Sequence, residues 1–235
     1  MRTASPARGR RSCNSRAIDH SPFPPGFFAR SDQAPDAAFY AIERLVTHID
    51  DAAIAAVSAL YDRMILDRYA DAAVLDLCSS WISHFSRRPR RLAALGMNAA
   101  ELEANPMATE RVVCDLNLDP TLPFDDAAFD AVTCCVSVDY LTRPFDVFAE
   151  AARVLRPEGV FVCTFSNRCF PTKAINGWLS TDDRGHCAIV ATYFAETPGF
   201  GPPEVRLENP SAPGDPLFAV WAHRAPLGLI TTDSA

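Results

Sequence analysis

The sequence predicts a doubly wound α/β fold, in which helices cover both faces of one mostly parallel sheet. Short apolar runs of strand length alternate with segments of helical periodicity from residue 37 onward, and this alternation is typical of βαβ units. The run 73–78 holds a single acid, Asp76, among apolar residues, as expected of a central strand that is buried on both faces. A chain of 235 residues is long enough for one domain with a sizeable core.

Two helices are predicted before the first strand, after a proline-rich, irregular segment at 21–35. From Ala37 onward apolar residues recur at steps of three and four, which predicts a helix. Asp50 or Asp51 can cap a second helix. The apolar residues of the first helix are Phe39, Ile42, Leu45, Val46 and Ile49, and those of the second are Ile54, Val57, Leu60, Tyr61, Met64 and Ile65.

Seven strands are predicted, the last of them closing the sheet in an antiparallel direction. The strands cover 73–78, 91–95, 111–114, 129–136, 160–165, 204–208 and 217–223. Helical spacing is found at 145–155 and 182–197, and the turn 156–159 separates the first of these helices from the fifth strand. A ligand of such a sheet binds beyond the carboxyl ends of the central strands, where the strand order reverses.

The charge and the apolar runs of the chain exclude some classes of protein. The net charge is −7, which argues against a broad basic face for nucleic acid. The longest apolar run, 131–138, has the length of a strand and is too short to span a membrane. We therefore expect a soluble protein without a nucleic-acid partner. The oligomeric state is left open.

The eight cysteines do not indicate a disulfide framework or a metal site. They include no C-x-x-C pair and no cluster with the spacing of zinc ligands. Four of them lie inside predicted strands, where a free thiol behaves as a small apolar group; these are Cys78, Cys134, Cys135 and Cys163. The cysteines thus indicate an intracellular, reducing compartment.

The first twenty residues differ in composition from the rest of the chain. They hold five arginines and one acid, Asp19. Such a segment is typical of a transit peptide to a plastid or mitochondrion, and equally of a disordered basic tail in a cytoplasmic protein. We divide the chain into a basic extension at 1–20, one domain at 21–225 and a tail at 226–235.

Three blocks of sequence resemble class I S-adenosylmethionine-dependent methyltransferases, of the type 11 group. Val74-Leu-Asp-Leu77 with its following loop resembles the family's first motif. The block 122–132 resembles the segment that leads into the fourth strand, and 150–160 resembles the helix, turn and fifth strand that follow. The blocks have the family's order and spacing, and the similarity covers about 50–224. The resemblance implies the Rossmann-like methyltransferase fold, with S-adenosyl-L-methionine as cofactor.

The resemblance also implies a set of cofactor-binding residues, several of which depart from the family pattern. Glycines usually follow the first strand, but this chain has Cys78, Ser80 and Ile82 in their places. An acid usually holds the ribose after the second strand, and Asn98 occupies that position. The residues implied to bind the cofactor are Asp76, Leu77, Cys78, Ser79, Ser80, Met97, Asn98, Asp115, Leu116 and Ser137.

Candidate catalytic residues follow the fourth strand. Asp139 and Tyr140 lie where many relatives face the methyl acceptor, and either could orient or deprotonate a hydroxyl or an amine. A cap and a packing residue are the alternative roles. The polar loop 166–173 follows the fifth strand and could also face the acceptor, although solvation of Arg168 and Lys173 explains it equally well. His84, on a predicted helix, is better explained by packing or capping.

Two hypotheses for the function remain open. The first is a methyltransferase that acts on a small-molecule acceptor. The second is a methyltransferase-like binding or assembly module without catalysis, since both the loop glycines and the ribose acid are absent. A dinucleotide-dependent oxidoreductase is disfavoured because no G-x-G-x-x-G follows the first strand. A Cys/His hydrolase is disfavoured because His186 and Cys187 form no recognisable dyad.

Overall fold

The computed structural model describes residues 22–226, and these residues form the predicted α/β fold. Seven strands of this part of the chain form one sheet in the order β3-β2-β1-β4-β5-β7-β6. β7 is antiparallel to both of its neighbours, while β1 to β5 are parallel to one another. The strand order reverses between β1 and β4. The doubly wound, mostly parallel sheet with an antiparallel closing strand is therefore confirmed.

The strand positions agree closely with the predicted ones. They are β1 (Ala73–Leu77), β2 (Arg91–Gly96), β3 (Glu110–Val113), β4 (Phe129–Cys135), β5 (Leu155–Phe165), β6 (Glu204–Leu207) and β7 (Phe218–His223). β5 differs, because it begins at Leu155 rather than after the predicted turn. The turn is absorbed into the strand as an irregularity, with Glu158 at φ 65° and a shift in the β4–β5 register between Phe129 and Ala131.

The helices are α1 (Asp36–Phe39), α2 (Asp51–Tyr61), α3 (Ala99–Ala104), α4 (Pro144–Val154), α5 (Asn176–Leu179) and α6 (Asp183–Glu196). Asp50 caps α2, as predicted, by accepting a hydrogen bond from the Ala53 amide. The helix continues as a π-helical stretch at Asp62–Leu66. α4 and α6 lie within the ranges predicted for helices.

The predicted helix at 37–49 is wrong beyond its first turn. α1 ends at Phe39, and residues 40–49 are irregular. Side chains satisfy the backbone here in place of helical bonds: the Asn98 amide donates to the Tyr40 carbonyl at 2.9 Å, and the Glu101 carboxylate accepts from the Arg44 amide at 2.7 Å. The apolar residues that suggested the helix, Ile42, Leu45 and Val46, are exposed.

The strict alternation of strands and helices is also wrong at two connections. The segments 78–90 and 114–128 contain no helix, so His84 does not lie on one. Cys78 and His84 have φ values of 53° and 56°, which a right-handed helix cannot accommodate. Polar side chains bond the first segment instead, since the Ser58 hydroxyl donates to the His84 carbonyl and the Asn105 amide donates to the Ser80 carbonyl.

Apolar clusters lie on both faces of the sheet. Leu75 and Leu77 point to the face covered by α4 and α6, whereas Val74 points to the face covered by α2. This arrangement buries the whole of β1, which explains its continuous apolar sequence. No helix in 22–226 is long and apolar enough to cross a membrane. The basic extension at 1–20 and the tail beyond 226 lie outside the described residues, and the proposed domain division stays a prediction.

Candidate functional site

A cavity of about 370 Å³ lies beyond the carboxyl ends of β1, β2 and β4. β1 and β4 are the strands between which the strand order reverses, so the cavity occupies the position expected for a ligand of this fold. Each of the ten residues implied to bind the cofactor contributes to its wall, from Asp76–Ser80 to Ser137. Tyr140 also lines it, whereas Asp139 lies buried outside the lining.

The loop after β1 forms the floor of the cavity. Asp76 is buried and accepts hydrogen bonds from the Ser79 hydroxyl at 2.7 Å and the Thr133 hydroxyl at 2.8 Å. Burial raises the pKa of the Asp76 carboxyl, and these hydrogen bonds partly offset that effect. Asp76 therefore ties the loop to the neighbouring strand β4.

Cys78 stands in the first glycine position and has φ 53°. The backbone keeps the left-handed conformation for which glycine is favoured, at a cost to a residue with a β-carbon. His84 and Val136, with φ 56° and 44°, also line the cavity. Three of the five non-glycine residues with positive φ in 22–226 thus surround one cavity, as is common at functional sites.

The second strand has a glycine where the loop makes its closest approach. The Ser79 amide donates to the Leu95 carbonyl at 2.8 Å, and a β-carbon on Gly96 would overlap the Ser79 carbonyl oxygen. Gly96 therefore allows the loop to lie on the end of β2. This contact holds Ser79 against the sheet although the loop itself lacks glycine.

Asn98 lines the cavity, but other contacts occupy its side chain. Its carbonyl oxygen caps α3 by accepting from the Ala100 and Glu101 amides, and its amide donates to the Tyr40 carbonyl. Sequence reasoning missed Glu101, which also lines the cavity. Its place in the sequence indicated this position. Glu101 follows Asn98, the residue that caps α3, by three positions, and residues at that spacing lie on the same side of a helix.

The loop after β3 forms another wall. One carboxylate oxygen of Asp115 accepts from the Asn117 and Leu118 amides, which fixes the turn. Leu116 is buried. Asn117 joins this loop to the rest of the site, since its side-chain amide donates to the Asp36 carboxylate at 2.9 Å and to the Tyr140 carbonyl at 3.0 Å.

The two candidate catalytic residues differ in accessibility. The Tyr140 hydroxyl accepts from the Phe170 amide at 2.8 Å, and burial raises its pKa further above the ordinary value. Burial also raises the pKa of the Asp139 carboxyl to about 8. One Asp139 oxygen has no hydrogen-bond partner among the described residues. Burial therefore favours the protonated form of both groups.

Residues 36–49 form a roof over the cavity that the sequence did not predict. Asp36, Tyr40, Arg44 and 46–49 contribute to the lining. Phe170 packs against this roof, with its ring centroid 5.4 Å from that of Phe39 and 5.2 Å from that of His48. Neither Phe170 nor Trp81 fills the cavity; both line it.

A cluster of ion pairs around the buried Lys173 fixes the start of the roof. The Lys173 ammonium, 1% exposed, lies 3.0 Å from carboxylate oxygens of both Asp32 and Asp36. Asp36 also pairs with Arg30 at 2.8 Å. Lys173 is therefore not solvated and does not line the cavity. Arg168 does line it, and pairs with Asp215 at 2.9 Å.

The described residues form neither a catalytic site around His186 nor a metal site. His186 is buried, with its ring stacked on Trp178 at a centroid distance of 3.9 Å, which explains it as a packing residue of α6. Across 22–226 no group of three or more histidines, cysteines and acids has a geometry that could hold a metal ion.

Comparisons with known proteins agree with the fold and with the resemblance. A family model described as a methyltransferase domain, of type 11, matches residues 81–163. The match begins at Trp81, inside the glycine-free loop. No curated protein matches the sequence.

Solved structures with the same architecture include geranyl diphosphate C-methyltransferase from Streptomyces coelicolor A3(2), bound to Mg²⁺, geranyl diphosphate and S-adenosyl-L-homocysteine. It is 14% identical, with a TM-score of 0.52, and the alignment covers 80% of this chain and 97% of that one. The YcgJ protein of Bacillus subtilis is 10% identical, with a TM-score of 0.49 and coverages of 73% and 98%. The chain therefore has the class I S-adenosylmethionine-dependent methyltransferase fold, and the resemblance is confirmed.

Proposed function

We propose that the protein is an S-adenosylmethionine-dependent methyltransferase that acts on a small-molecule acceptor. The proposal rests on one observation. Ten residues, chosen by resemblance alone, come from the end of β1 and from the connections after β1, β2, β3 and β4, and they line one cavity at the strand-order switch. The volume of about 370 Å³ lies in the range of small-molecule sites, about 300–1,000 Å³.

The residues of the cavity fit the chemistry of S-adenosylmethionine. Cys78, which lies beside the cavity, has the left-handed backbone conformation that glycine adopts most readily. Carboxylates of Asp115 and Glu101 line it and can accept hydrogen bonds from an amino group or hydroxyls. The cofactor would thus extend from the β1 loop to the β3 loop, across the end of β2.

Bound S-adenosylmethionine supplies an electrophilic methyl group, and the chain has to position the acceptor and exclude water. Tyr40, Tyr140 and Phe170 provide aromatic walls for this purpose. The Tyr140 phenol keeps its proton, because burial raises its pKa. It is therefore suited to donate a hydrogen bond to the acceptor rather than to act as a base.

A small acceptor is favoured because the roof at 36–49 covers the cavity. A macromolecular acceptor would have to displace contacts such as that between the Trp81 indole and the Val46 carbonyl, at 3.1 Å. We infer an intracellular location from the cysteines in the core, such as Cys134 and Cys163, which act as apolar groups. The choice between an organelle and the cytoplasm depends on residues 1–20.

Calorimetry with S-adenosylmethionine and S-adenosylhomocysteine tests the proposal. Wild-type protein is expected to bind each in a 1:1 saturable manner. Ser80→Trp places a large ring in the cavity and should abolish binding. Leu118→Trp makes the same change at a residue that is 78% exposed and should leave binding intact.

Absence of binding at millimolar ligand to wild-type protein would contradict the proposal. That result would favour the second function, a methyltransferase-like binding or assembly module. The occupied side chain of Asn98 is the observation in favour of that alternative.

A further inference from the structure

The vicinal hydroxyls of a ribose need hydrogen-bond acceptors, and Asn98 has little left to offer them. Its side-chain oxygen already accepts from two backbone amides, at 3.0 and 3.1 Å. A carbonyl oxygen has two lone pairs, so both are in use. Its amide group donates to the Tyr40 carbonyl. Asn98 thus organises α3 and the roof.

Glu101 has the capacity that Asn98 lacks. Its side chain lines the cavity, and the residue is 8% exposed. One carboxylate oxygen accepts from the Arg44 amide and the other from the Ser80 hydroxyl, each at 2.7 Å. A carboxylate offers about four lone-pair positions, so each oxygen can accept one further hydrogen bond.

The position of Glu101 also suits a ribose. α3 follows β2, and β2 lies between β1 and β3 in the sheet. The carboxylate touches Ser80 of the β1 loop, while Asp115 of the β3 loop borders the same cavity. In the proposed orientation the ribose joins the two ends of the cofactor. It therefore lies beside α3.

We propose that Glu101, rather than Asn98, is the residue that binds the ribose hydroxyls of S-adenosylmethionine. The inference rests on the proposed function and relocates one contact within it. Because the same carboxylate accepts from Arg44, it also connects the bound ribose with the roof. Neither role requires catalysis by Glu101.

Calorimetry with two ligands and three proteins tests this assignment. The ligands are S-adenosylhomocysteine and its 2′,3′-dideoxy analogue, which lacks the ribose hydroxyls. The proteins are wild type, Glu101→Gln and the control Glu103→Gln, in which an 80% exposed side chain of the same helix is changed. Glutamine keeps the size of Glu101, and thermal unfolding checks that the variant is folded.

Glu101→Gln should weaken binding of S-adenosylhomocysteine by about 10- to 100-fold, the usual effect of losing hydrogen bonds to a charged group. It should leave binding of the dideoxy analogue within about twofold of wild type, and Glu103→Gln should change neither ligand. If wild type binds S-adenosylhomocysteine and Glu101→Gln binds it equally well, or weakens both ligands alike, the assignment to ribose is wrong while the proposed function stands. If wild type binds no S-adenosylhomocysteine, the proposed function itself fails.

Discussion

Gly96 and Ser79 are in contact at the floor of the cavity. The loop after β1 lacks the usual glycines, and its backbone packs instead against a glycine of β2. The hydrogen bond from Ser79 to the Leu95 carbonyl holds the loop on β2. The loop can lie this close to β2 because residue 96 of the strand has no side chain. The loop residues themselves do not have to be glycine. One glycine of the strand therefore contributes to the shape of a loop that contains none.

Gly96→Ala should disrupt the cavity. The new β-carbon would overlap the Ser79 carbonyl oxygen, which belongs to the backbone and has to move. We expect a loss of about 1–3 kcal/mol in the free energy of unfolding, typical of overpacking, together with loss of S-adenosylhomocysteine binding. Gly201→Ala is the matched control, because its β-carbon would meet the nearest atom at an ordinary 3.6 Å. Equal effects of the two changes in urea unfolding and calorimetry would contradict the role given to Gly96.

Asp139 should make stability depend on pH. Burial raises the pKa of its carboxyl from 3.8 to about 8, so the folded state holds a proton that the unfolded state releases. The resulting stabilisation is complete below about pH 4 and is lost as the pH rises towards 8. The side chain in Asp139→Asn is uncharged at every pH, so the variant does not lose this stabilisation as the pH rises. Between pH 5 and 8 wild type should lose about 2–4 kcal/mol more than the variant, as measured by urea unfolding. Identical pH profiles would show that Asp139 is ionised in the folded protein.

At the scale of elements, the roof is held by polar contacts and by the buried Ile49 at its end, and not by an apolar helix face. Its apolar residue Ile42 is 71% exposed, so burial of that residue contributes little stability. The ion pairs of the buried Lys173 with Asp32 and Asp36 support the start of the segment instead. The orientation of the roof therefore depends on these charges.

Lys173→Met should be strongly destabilising. It removes a cation from Asp36, which is 4% exposed and retains only part of its ion pairing, through Arg30. Removal of one partner from a buried pair costs about 3–5 kcal/mol, and urea unfolding measures this loss. Arg87→Met provides the control, because Arg87 and its partner Asp67 are 55% and 66% exposed. The control should cost less than about 1 kcal/mol. A similarly small cost for Lys173→Met would mean that the cluster does not secure the roof.

At the scale of the whole molecule, the cavity connects parts of the chain that are distant in sequence. The roof at 36–49, the loops after β1, β2, β3 and β4, and residues 168–170 all border it. A ligand in the cavity would contact most of these segments at once. It would therefore bind the folded state and not the unfolded one.

S-adenosylhomocysteine should consequently stabilise the protein. At 100 times the dissociation constant the gain is about 2.7 kcal/mol, which for a chain of this size raises the unfolding midpoint by about 5–10 °C. Homocysteine, which lacks the adenosine part, is the control ligand and should have a much smaller effect at the same concentration. Thermal unfolding monitored by circular dichroism measures both. An unchanged midpoint at saturating S-adenosylhomocysteine would contradict binding to the native cavity.

The sequence by itself predicted the sheet, its closing strand and the residues around the cavity. Strands buried on both faces, such as β1, have continuous apolar sequences because their side chains have no polar surroundings to meet. The loops that follow such strands meet at one edge of the sheet. The resemblance to the family, and not the local pattern, singled out Asp76, Cys78 and Asp115, and all three line the cavity.

Only the tertiary structure decided the roof and the partners of Asn98 and Glu101. The periodicity at 37–49 predicted a helix, but hydrogen bonds with residues more than fifty positions away satisfy that backbone instead: Asn98 donates to it and Glu101 accepts from it. Likewise, nothing near Lys173 in sequence indicates its burial beside Asp36. These contacts join segments that are remote in sequence, so their energies leave no periodic signal in either segment alone.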